Sequence, residues 1–386
     1  MICYGPQKTI VMPKIKKARV LLLMQGLFPG YVAPVFKEIA KSLSAQGYEV
    51  LVVAVGEGLT PSNESFEFKI HVIKPASFIK QYREIIRITK GFDVVHYFPG
   101  KGFELLPLFN RKTKFVFHFI SVSVSGKFLY DWLINTLKKL QPIFADIAIY
   151  TDIELQKKIQ PIFKKKCFIL PVGYASDLFY PCRPYQESGK RILIYHGSCH
   201  PARRLEQMIR ALPLLQERYE LMIIGKGSKK YIDALKQLAE NLDCSRRLTF
   251  AEMPQDQIRS VIEKAYLCFS YVPVLECYQD QFVLKTIEYL ACGRPVLTTN
   301  TTHNLKLQKD IGEENLLICR DDISEIASFI NSSDLFVHHF YRTQGLNKLY
   351  SKMSNFSNDS LVKEKLNVYY DDMLKVNQNF RRKYKL

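Results

Sequence analysis

The chain has 386 residues, a formal net charge of +18 at pH 7 and 47% hydrophobic residues. This length suits two globular domains rather than one, and the hydrophobic content excludes a disordered chain. No uncharged run approaches the roughly eighteen residues that a membrane-spanning helix needs. Residues 1–17 lack the apolar core of a secretory signal. We therefore expect a cytoplasmic protein.

Cysteine spacing and charge distribution narrow the possibilities further. The nine cysteines are scattered without a Cys-x-x-Cys pair, which favours a reduced compartment and argues against a structural zinc site. Residues 1–180 hold 25 Lys and Arg against 13 Asp and Glu, so most of the positive charge lies in the first half. An anionic partner such as phospholipid, a phosphate-linked acceptor or nucleic acid fits this excess, and an inert basic surface is the alternative.

The first half of the chain alternates strands with helices. Strands are predicted at Arg19–Met24, Tyr48–Val55, Phe68–Val72, Phe92–Tyr97, Lys114–Phe119 and Ile147–Tyr150. Amphipathic helices are predicted at Val35–Gln46, Ala76–Lys90 and Gly126–Leu140. This alternation predicts an α/β fold with a parallel, doubly wound sheet that binds ligands at the carboxyl ends of its strands. For the second and third helices we expect the apolar face to pack on the sheet and the basic face to be exposed.

A turn-rich segment, Pro171–Lys190, interrupts this alternation, and the strand Arg191–Tyr195 restarts it. We read the segment as a hinge between two domains. The loop after that strand contains Gly197 and Arg203, and a later strand runs into Gly225. Backbone amides at a glycine-bearing loop and a guanidinium at a helix start suit a diphosphate, because both meet its negative oxygens.

Two carboxylates eight residues apart give the most specific signal. Asp280 lies in a polar loop, and Glu288 lies in a predicted helix that ends at Gly293 because Pro295 cannot continue it. A loop carboxylate near a helix N-terminus suits a polyhydroxylated ligand that also carries phosphate. Further helices are predicted at Asp334–Met353 and Ser360–Met373.

The segment from Val283 to Val296 resembles a known family pattern, Pro-Leu-Lys-Leu-x-Glu-Tyr-x-Ala-x-Gly-x-Pro-Val. This pattern is typical of the retaining nucleotide-sugar glycosyltransferases of the GT-B fold, the "group 1" or family 4-like enzymes. These enzymes share a Glu-x7-Glu motif. In this chain Asp280 stands in place of the first glutamate, and Glu288 is the second. Ser198 stands where the family usually has an arginine. The resemblance covers about residues 18–375.

This resemblance implies a GT-B architecture, in which two Rossmann-like domains face each other across a cleft. It implies an N-terminal extension at residues 1–17, an acceptor-side domain at 18–180 and a nucleotide-sugar donor domain at 181–357. Residues 358–386 would form a last helix that crosses back to the first domain, followed by a basic tail.

The resemblance also implies roles for particular residues. Glu288 would hold the ribose hydroxyls of the nucleotide, Asp280 the hydroxyls of the sugar, and Arg203 the departing diphosphate. His118, at the end of a buried strand, would face the sugar from the first domain, with His96 supporting that wall. The other implied residues of the donor site and of the first-domain cleft loop are Gly197, Gly225, Lys226, Gln281, Phe282, Val283, Leu284, Gly26 and Leu27.

The implied activity is transfer of a sugar from a nucleotide-diphosphate donor to a hydroxyl acceptor with retention of configuration. We expect a cell-envelope glycan or lipid-linked acceptor, reached by peripheral association with anionic membrane on its cytoplasmic face. No cofactor and no metal are expected, since the chain has no Asp-x-Asp motif. The alternatives are an inactive GT-B partner subunit, a nucleotide-sugar 2-epimerase on the same fold, and a nucleic-acid binder, for which base-stacking motifs are lacking.

Overall fold

The computed structural model describes residues 17–25, 33–56, 68–74, 76–100, 102–119, 128–159, 166–187, 189–279, 281–342 and 345–384. Backbone contacts divide the chain into two compact units. The first unit comprises Met1–His118, Phe144–Ile147 and Asn367–Leu386. The second unit comprises Phe119–Ile143 and Ala148–Leu366.

Within the described ranges, one parallel sheet has seven strands in the order β3-β2-β1-β4-β5-β6-β7. The six strands predicted before the hinge segment are all present, each within two residues of its predicted ends. Apolar runs such as the five consecutive buried residues of β1 indicate why, because strands covered by helices on both faces need no polar alternation. The strands are β1 Arg19–Gln25, β2 Glu49–Val55, β3 Lys69–Ile73, β4 Val94–Tyr97, β5 Lys114–Phe119, β6 Ile147–Tyr150 and β7 Lys166–Ile169.

The helices between these strands are α1 Ala33–Ala45, α2 Phe78–Thr89, α3 Leu106–Phe109, α4 Phe128–Lys138 and α5 Ile153–Lys158. The expected packing of apolar helix faces is only partly correct. On α2, Ile85 is buried, whereas Phe78 and Ile79 are exposed. On α4 the expectation is wrong, because Leu129 is 77% exposed and Trp132 is 60% exposed. Periodicity shows that such a face exists, but it does not show what covers it.

A second parallel sheet has the strand order β10-β9-β8-β11-β12-β13. The order runs outward in opposite directions from β8 and β11, so their carboxyl ends form a topological switch point, where sheets of this kind bind ligands. The strands are β8 Arg191–His196, β9 Tyr219–Ile224, β10 Leu248–Ala251, β11 Leu267–Ser270, β12 Val296–Thr299 and β13 Leu316–Cys319.

Helices alternate with these strands and close the second unit. They are α6 Glu206–Ala211, α7 Lys229–Asn241, α8 Gln255–Ile262, α9 Leu284–Ala291, α10 Thr302–Ile311, α11 Ile323–Asn331, α12 Asp334–Arg342, α13 Gly345–Ser354 and α14 Asn358–Leu361. The helix predicted at Asp334–Met353 corresponds to α12 and α13, and residues 343–344 between them lie outside the described ranges. The helix predicted from Ser360 begins earlier because the Ser357 hydroxyl caps α14 by accepting from the Ser360 amide.

The last helix, α15, spans Asn367–Tyr384 after one π-helical segment, Val362–Leu366. It belongs to the first unit. Its Tyr370 hydroxyl lies 2.6 Å from Nδ1 of His96, and the Tyr48 hydroxyl donates to Asp371 over 3.3 Å. The predicted return of the last helix to the first domain is thus confirmed. No helix in the described part of the chain is long and apolar enough to cross a bilayer.

Candidate functional site

Two glycine loops meet at the carboxyl ends of β8 and β9. The Gly197 amide donates to the Ile224 carbonyl over 2.9 Å, and the Cys199 amide donates to the Lys226 carbonyl over 2.8 Å. A Cβ atom on Gly225 would lie 1.7 Å from the Gly197 carbonyl oxygen. Only glycine therefore permits this approach of the two backbones. Both glycines that the sequence indicated therefore lie where the two loops touch.

Glu288 lies in the second turn of α9 and is 4% exposed. Its Oε2 lies 2.8 Å from Nε2 of His196, the last residue of β8. Burial raises the pKa of Glu288 to about 8, against the opposing effect of Lys285. Burial also lowers the pKa of His196 to about 3. Nδ1 of His196 is buried and has no hydrogen-bond partner among the described residues, so the cluster retains an unused polar atom that a ligand can meet.

Lys285 lies one turn before Glu288 on the same face of α9. Its Nζ donates to the Tyr271 carbonyl over 2.9 Å and lies 3.8 Å from the centre of the Tyr195 ring. Burial lowers the pKa of Lys285 well below its usual value, and the nearby Arg203 lowers it further. An ammonium at a helix N-terminus is also unfavourable. Burial and Arg203 thus oppose the charged form of Lys285, whereas an anion beside it would favour that form.

Arg203 is the second cation of this cluster. Its guanidinium lies 5.0 Å from the centre of the Tyr278 ring and makes no side-chain hydrogen bond to any residue that the structure describes. The expectation that Arg203 opens a helix is wrong, because Pro201–Arg203 forms a single 3-10 turn and α6 begins at Glu206. The left-handed backbone of Arg204, with φ 47°, separates the two. Arg203 thus stands on a loop with its hydrogen-bonding groups unused.

Contacts from neighbouring elements hold the segment before α9. The Gln279 carbonyl accepts from the His303 amide over 2.8 Å, and its side chain accepts from the Thr302 amide over 3.0 Å. Asp321 accepts from the Val274 amide over 3.0 Å. The predicted residues Gln281, Phe282 and Leu284 are half-buried, while Val283 is buried against Tyr278 and Val272. These contacts connect the described residues of this segment to the neighbouring elements.

Other predicted residues lie apart from this cluster or outside the described ranges. Lys226 is 75% exposed and pairs with Glu252 over 3.1 Å, so its charge already has a partner. His118 belongs to the first unit, where its Nδ1 lies 3.0 Å from Nε2 of His96. Burial lowers the pKa of His118 to about 3. Asp280, Gly26 and Leu27 lie outside the described residues.

Sequence reasoning missed two members of the cluster, His196 and Lys285. The signal for His196 was its place at the end of a buried strand, as for His118, and the glycine that follows it. The signal for Lys285 was its position three residues before Glu288, which places both on one helix face. Within the described ranges, no three His, Cys, Asp or Glu side chains come together as a metal site.

Two parallel sheets, each with its own switch point, define an α/β protein with two compact units, and a buried cluster of acid, imidazole and amine groups lies at the second switch point. Residues 190–346 match the family described as "Glycosyl transferases group 1". This segment contains the whole cluster, and it belongs to that family. The predicted family is therefore confirmed.

One curated relative is a D-inositol 3-phosphate glycosyltransferase of Corynebacterium jeikeium (strain K411), which is 28% identical over 206 residues. The alignment covers 47% of this chain and 48% of that protein, so the chain spans about half the length of the curated relative it matches.

Solved structures resemble the chain over most of its length. Anabaena Alr3699/HepE, in complex with UDP and glucose, has a TM-score of 0.72 at 14% identity, covering 92% of this chain and 100% of that one. A glycosyltransferase from Rickettsia africae ESF-5 has a TM-score of 0.68 at 15% identity, covering 92% and 99%. These likenesses confirm the predicted GT-B fold.

Proposed function

We propose that the protein is a glycosyltransferase that moves a sugar from a nucleotide-diphosphate donor to a hydroxyl acceptor. The observation that carries this proposal is the buried cluster of Glu288, His196 and Lys285 at the switch point, inside the group 1 segment. A buried carboxylate beside an unused imidazole nitrogen fits the hydroxyls of a ribose. The complex of Anabaena HepE with UDP and glucose makes a uridine-diphosphate sugar the first donor to test.

Each group of the cluster has a role in this proposal. Glu288 accepts hydrogen bonds from the ribose hydroxyls, and His196 holds its carboxyl group in place. Lys285 and Arg203 neutralise the diphosphate, together with the N-terminus of α9. Lys285 thereby supplies the cation that Ser198 does not. Asp280 and the segment Gln281–Val283 hold the sugar.

The proposed chemistry needs no metal and no cofactor. As the bond between the sugar and the diphosphate breaks, negative charge develops on the departing phosphate, and the two cations stabilise it. The acceptor oxygen bonds to the sugar carbon on the face that the phosphate leaves, which retains the configuration. The departing phosphate takes the proton of the acceptor hydroxyl. Protein groups therefore act on the charge of the leaving group rather than as a nucleophile.

The exposed face of α4 supports a lipid-linked or cell-envelope acceptor. Leu129, Trp132, Leu133 and Leu137 are each at least 49% exposed, and Lys138 lies in the last turn of the helix. Tryptophan and leucine beside lysine are typical of helices that lie in the interface of an anionic membrane. We propose that α4 binds such a surface peripherally and brings the acceptor within reach.

A panel of UDP-, GDP-, ADP- and other nucleotide sugars, incubated with the protein and membrane lipid extract, tests the proposed function. Release of nucleoside diphosphate and a glycosylated product are expected for one donor. Inversion of the sugar at its second carbon, without transfer of the sugar to an acceptor, would indicate the epimerase instead. Binding without any turnover would indicate an inactive partner subunit, and preference for nucleic acid over every donor would contradict the proposal outright.

A further inference from the structure

A chain of three buried rings runs through the first unit, from the last helix to the end of β5. The Tyr370 hydroxyl lies 2.6 Å from Nδ1 of His96, and Nε2 of His96 lies 3.0 Å from Nδ1 of His118. All three side chains are at most 2% exposed. Phe98 covers both imidazoles, with ring centres 5.2 Å from His96 and 4.8 Å from His118. The chain ends at Nε2 of His118, which is buried and has no partner among the described residues.

The protonation of these rings follows from burial. Burial lowers the pKa of His96 and of His118 far below neutrality, so each imidazole carries one proton. Burial also raises the pKa of Tyr370 well above its usual value, so its phenol keeps its proton. Each ring nitrogen is therefore either a donor or an acceptor, and the order of the hydrogen bonds decides which.

Tyr370 sets that order. Its hydroxyl makes no hydrogen bond to any described residue except His96, so the phenol O–H donates to Nδ1 of His96. His96 then carries its proton on Nε2 and donates to Nδ1 of His118. His118 in turn carries its proton on Nε2. The reverse order would leave the phenol hydrogen buried without an acceptor, which folded proteins avoid.

We propose that Tyr370 and His96 are positioning residues that hold His118 as its Nε2–H tautomer, so that His118 donates a hydrogen bond to an oxygen of the bound substrate. The unused donor at Nε2 is what points to a ligand, since a buried N–H without a partner is rare. In this tautomer Nε2 has no free electron pair, so His118 cannot be a general base. This inference rests on the proposed function only for the identity of the ligand, which is a hydroxyl group of the sugar or of the acceptor.

The tautomer can be measured in the whole protein without any substrate. Nitrogen-15 NMR of histidine-labelled protein distinguishes protonated from bare ring nitrogens, and the His96→Gln and His118→Gln variants assign the signals. We expect both rings to be neutral at pH 6 with the proton on Nε2. Removal of the phenol O–H in Tyr370→Phe should shift His118 to a mixture of tautomers. A proton on Nδ1 of His118, or a charged ring, in the wild-type protein would overturn the inference.

Kinetics with the best donor test the consequence. Tyr370→Phe should lower kcat/KM by about tenfold, the usual effect of losing one oriented hydrogen bond. His118→Gln places an amide N–H near the position of Nε2, and it should retain more activity than His118→Asn, whose amide lies near Nδ1. Tyr48→Phe is the matched control, because Tyr48 bonds to the same helix through Asp371 but lies outside the ring chain. We expect its activity to stay within about twofold of wild type.

These outcomes separate the inference from the proposed function. If no nucleotide sugar is turned over by the wild-type protein, the proposed function fails and the NMR result alone decides the tautomer. If the wild type is active and Tyr370→Phe matches it in kcat/KM, the inference fails while the proposed function stands. Equal losses in Tyr370→Phe and Tyr48→Phe would also contradict it, since they would show that only the packing of the last helix matters.

Discussion

Each unit buries a polar cluster at the carboxyl end of its strands, and the two clusters differ in which of their groups can carry charge. In the second unit His196 faces a carboxylate, with an amine one helical turn away. In the first unit His118 faces a second imidazole and, through it, a phenol. Both clusters leave one imidazole nitrogen without a partner among the described residues. The cluster with the carboxylate and the amine suits the phosphate and ribose of a donor, and the cluster of two imidazoles and a phenol suits a hydroxyl.

This difference does not come from burial, which acts on the two histidines alike. Burial lowers the pKa of both His118 and His196 to about 3, so neither histidine carries charge at neutral pH. What distinguishes the sites is whether other titratable groups stand beside the imidazole. Glu288 and Lys285 can exchange charge with a ligand, whereas Tyr370 can only fix the direction of a hydrogen bond.

The largest effect should come from Lys285→Met, which keeps the size of the buried side chain but removes its charge. Loss of one group that stabilises the departing diphosphate should lower kcat by about 10²–10³-fold. Steady-state rates with the best donor give the result. Lys236→Met on the exposed face of α7 is the matched control and should be unaffected. An equally small change in kcat in both variants would show that Lys285 does not act on the diphosphate.

Glu288→Ala should mainly weaken donor binding. The ribose hydroxyls lose a buried, charged acceptor, which costs about 1.5–3 kcal/mol or roughly 10- to 150-fold in Kd. Titration calorimetry with the donor measures it, and thermal unfolding checks that the variant is folded. Glu240→Ala, an exposed glutamate within α7, serves as the control. Unchanged affinity in Glu288→Ala would show that the carboxylate does not hold the nucleotide.

The pH dependence of donor binding tests whether groups of the cluster around Glu288 gain or lose protons when the donor binds. Glu288 has a pKa of about 8 in the free protein, and ligand hydroxyls favour its ionised form, so it releases a proton on binding. Lys285, whose pKa is low in the free protein, takes up a proton beside the diphosphate. Higher pH therefore favours binding through Glu288 and opposes it through Lys285. His196, with a pKa of about 3, does not titrate between pH 6 and 8.

Titrations of a nucleotide sugar between pH 6 and 8 should therefore give three different slopes. The wild type should show little change in affinity, because the two protons compensate. Affinity should rise with pH in Lys285→Met and fall with pH in Glu288→Gln, by at most about tenfold per pH unit. Identical slopes in the three proteins would show that the cluster does not exchange protons with the donor.

Membrane binding through α4 should have a smaller, salt-dependent effect. Trp132 is the only tryptophan of the chain, so its emission reports directly on this helix. Anionic vesicles at low salt should shift the emission to the blue, and high salt should reverse the shift in part. Leu133→Glu should abolish the response, whereas Leu335→Glu, at a more exposed position on α12, should not. Equal failure to bind anionic and neutral vesicles at low salt would remove the membrane proposal.

Chelation should have no effect on turnover. If Lys285, Arg203 and the N-terminus of α9 meet the diphosphate charge as proposed, activity should survive dialysis against EDTA. Loss of activity that Mg²⁺ or Mn²⁺ restores would contradict this account of the phosphate site.

Much of the fold was predictable from the sequence, because continuous apolar runs such as Ile147–Tyr150 mark buried strands directly. The motif selected Glu288, and the structure buries its carboxyl group beside His196. The ring chain was not, because His96 and Tyr370 lie 274 residues apart and only the tertiary fold brings them together. The exposed face of α4 was also missed, since periodicity reports an apolar face without its neighbours.

The central claim is that the cluster around Glu288 and Lys285 binds a nucleoside diphosphate. Titration calorimetry of the wild-type protein in EDTA, with UDP, GDP and ADP compared with their nucleosides, tests it most directly. We predict that one nucleoside diphosphate binds at least about 100-fold more tightly than its nucleoside, because two cations meet its phosphates. Lys285→Met should remove much of that difference. Equal affinity for nucleoside and nucleoside diphosphate, or no binding of any of them, would contradict the account.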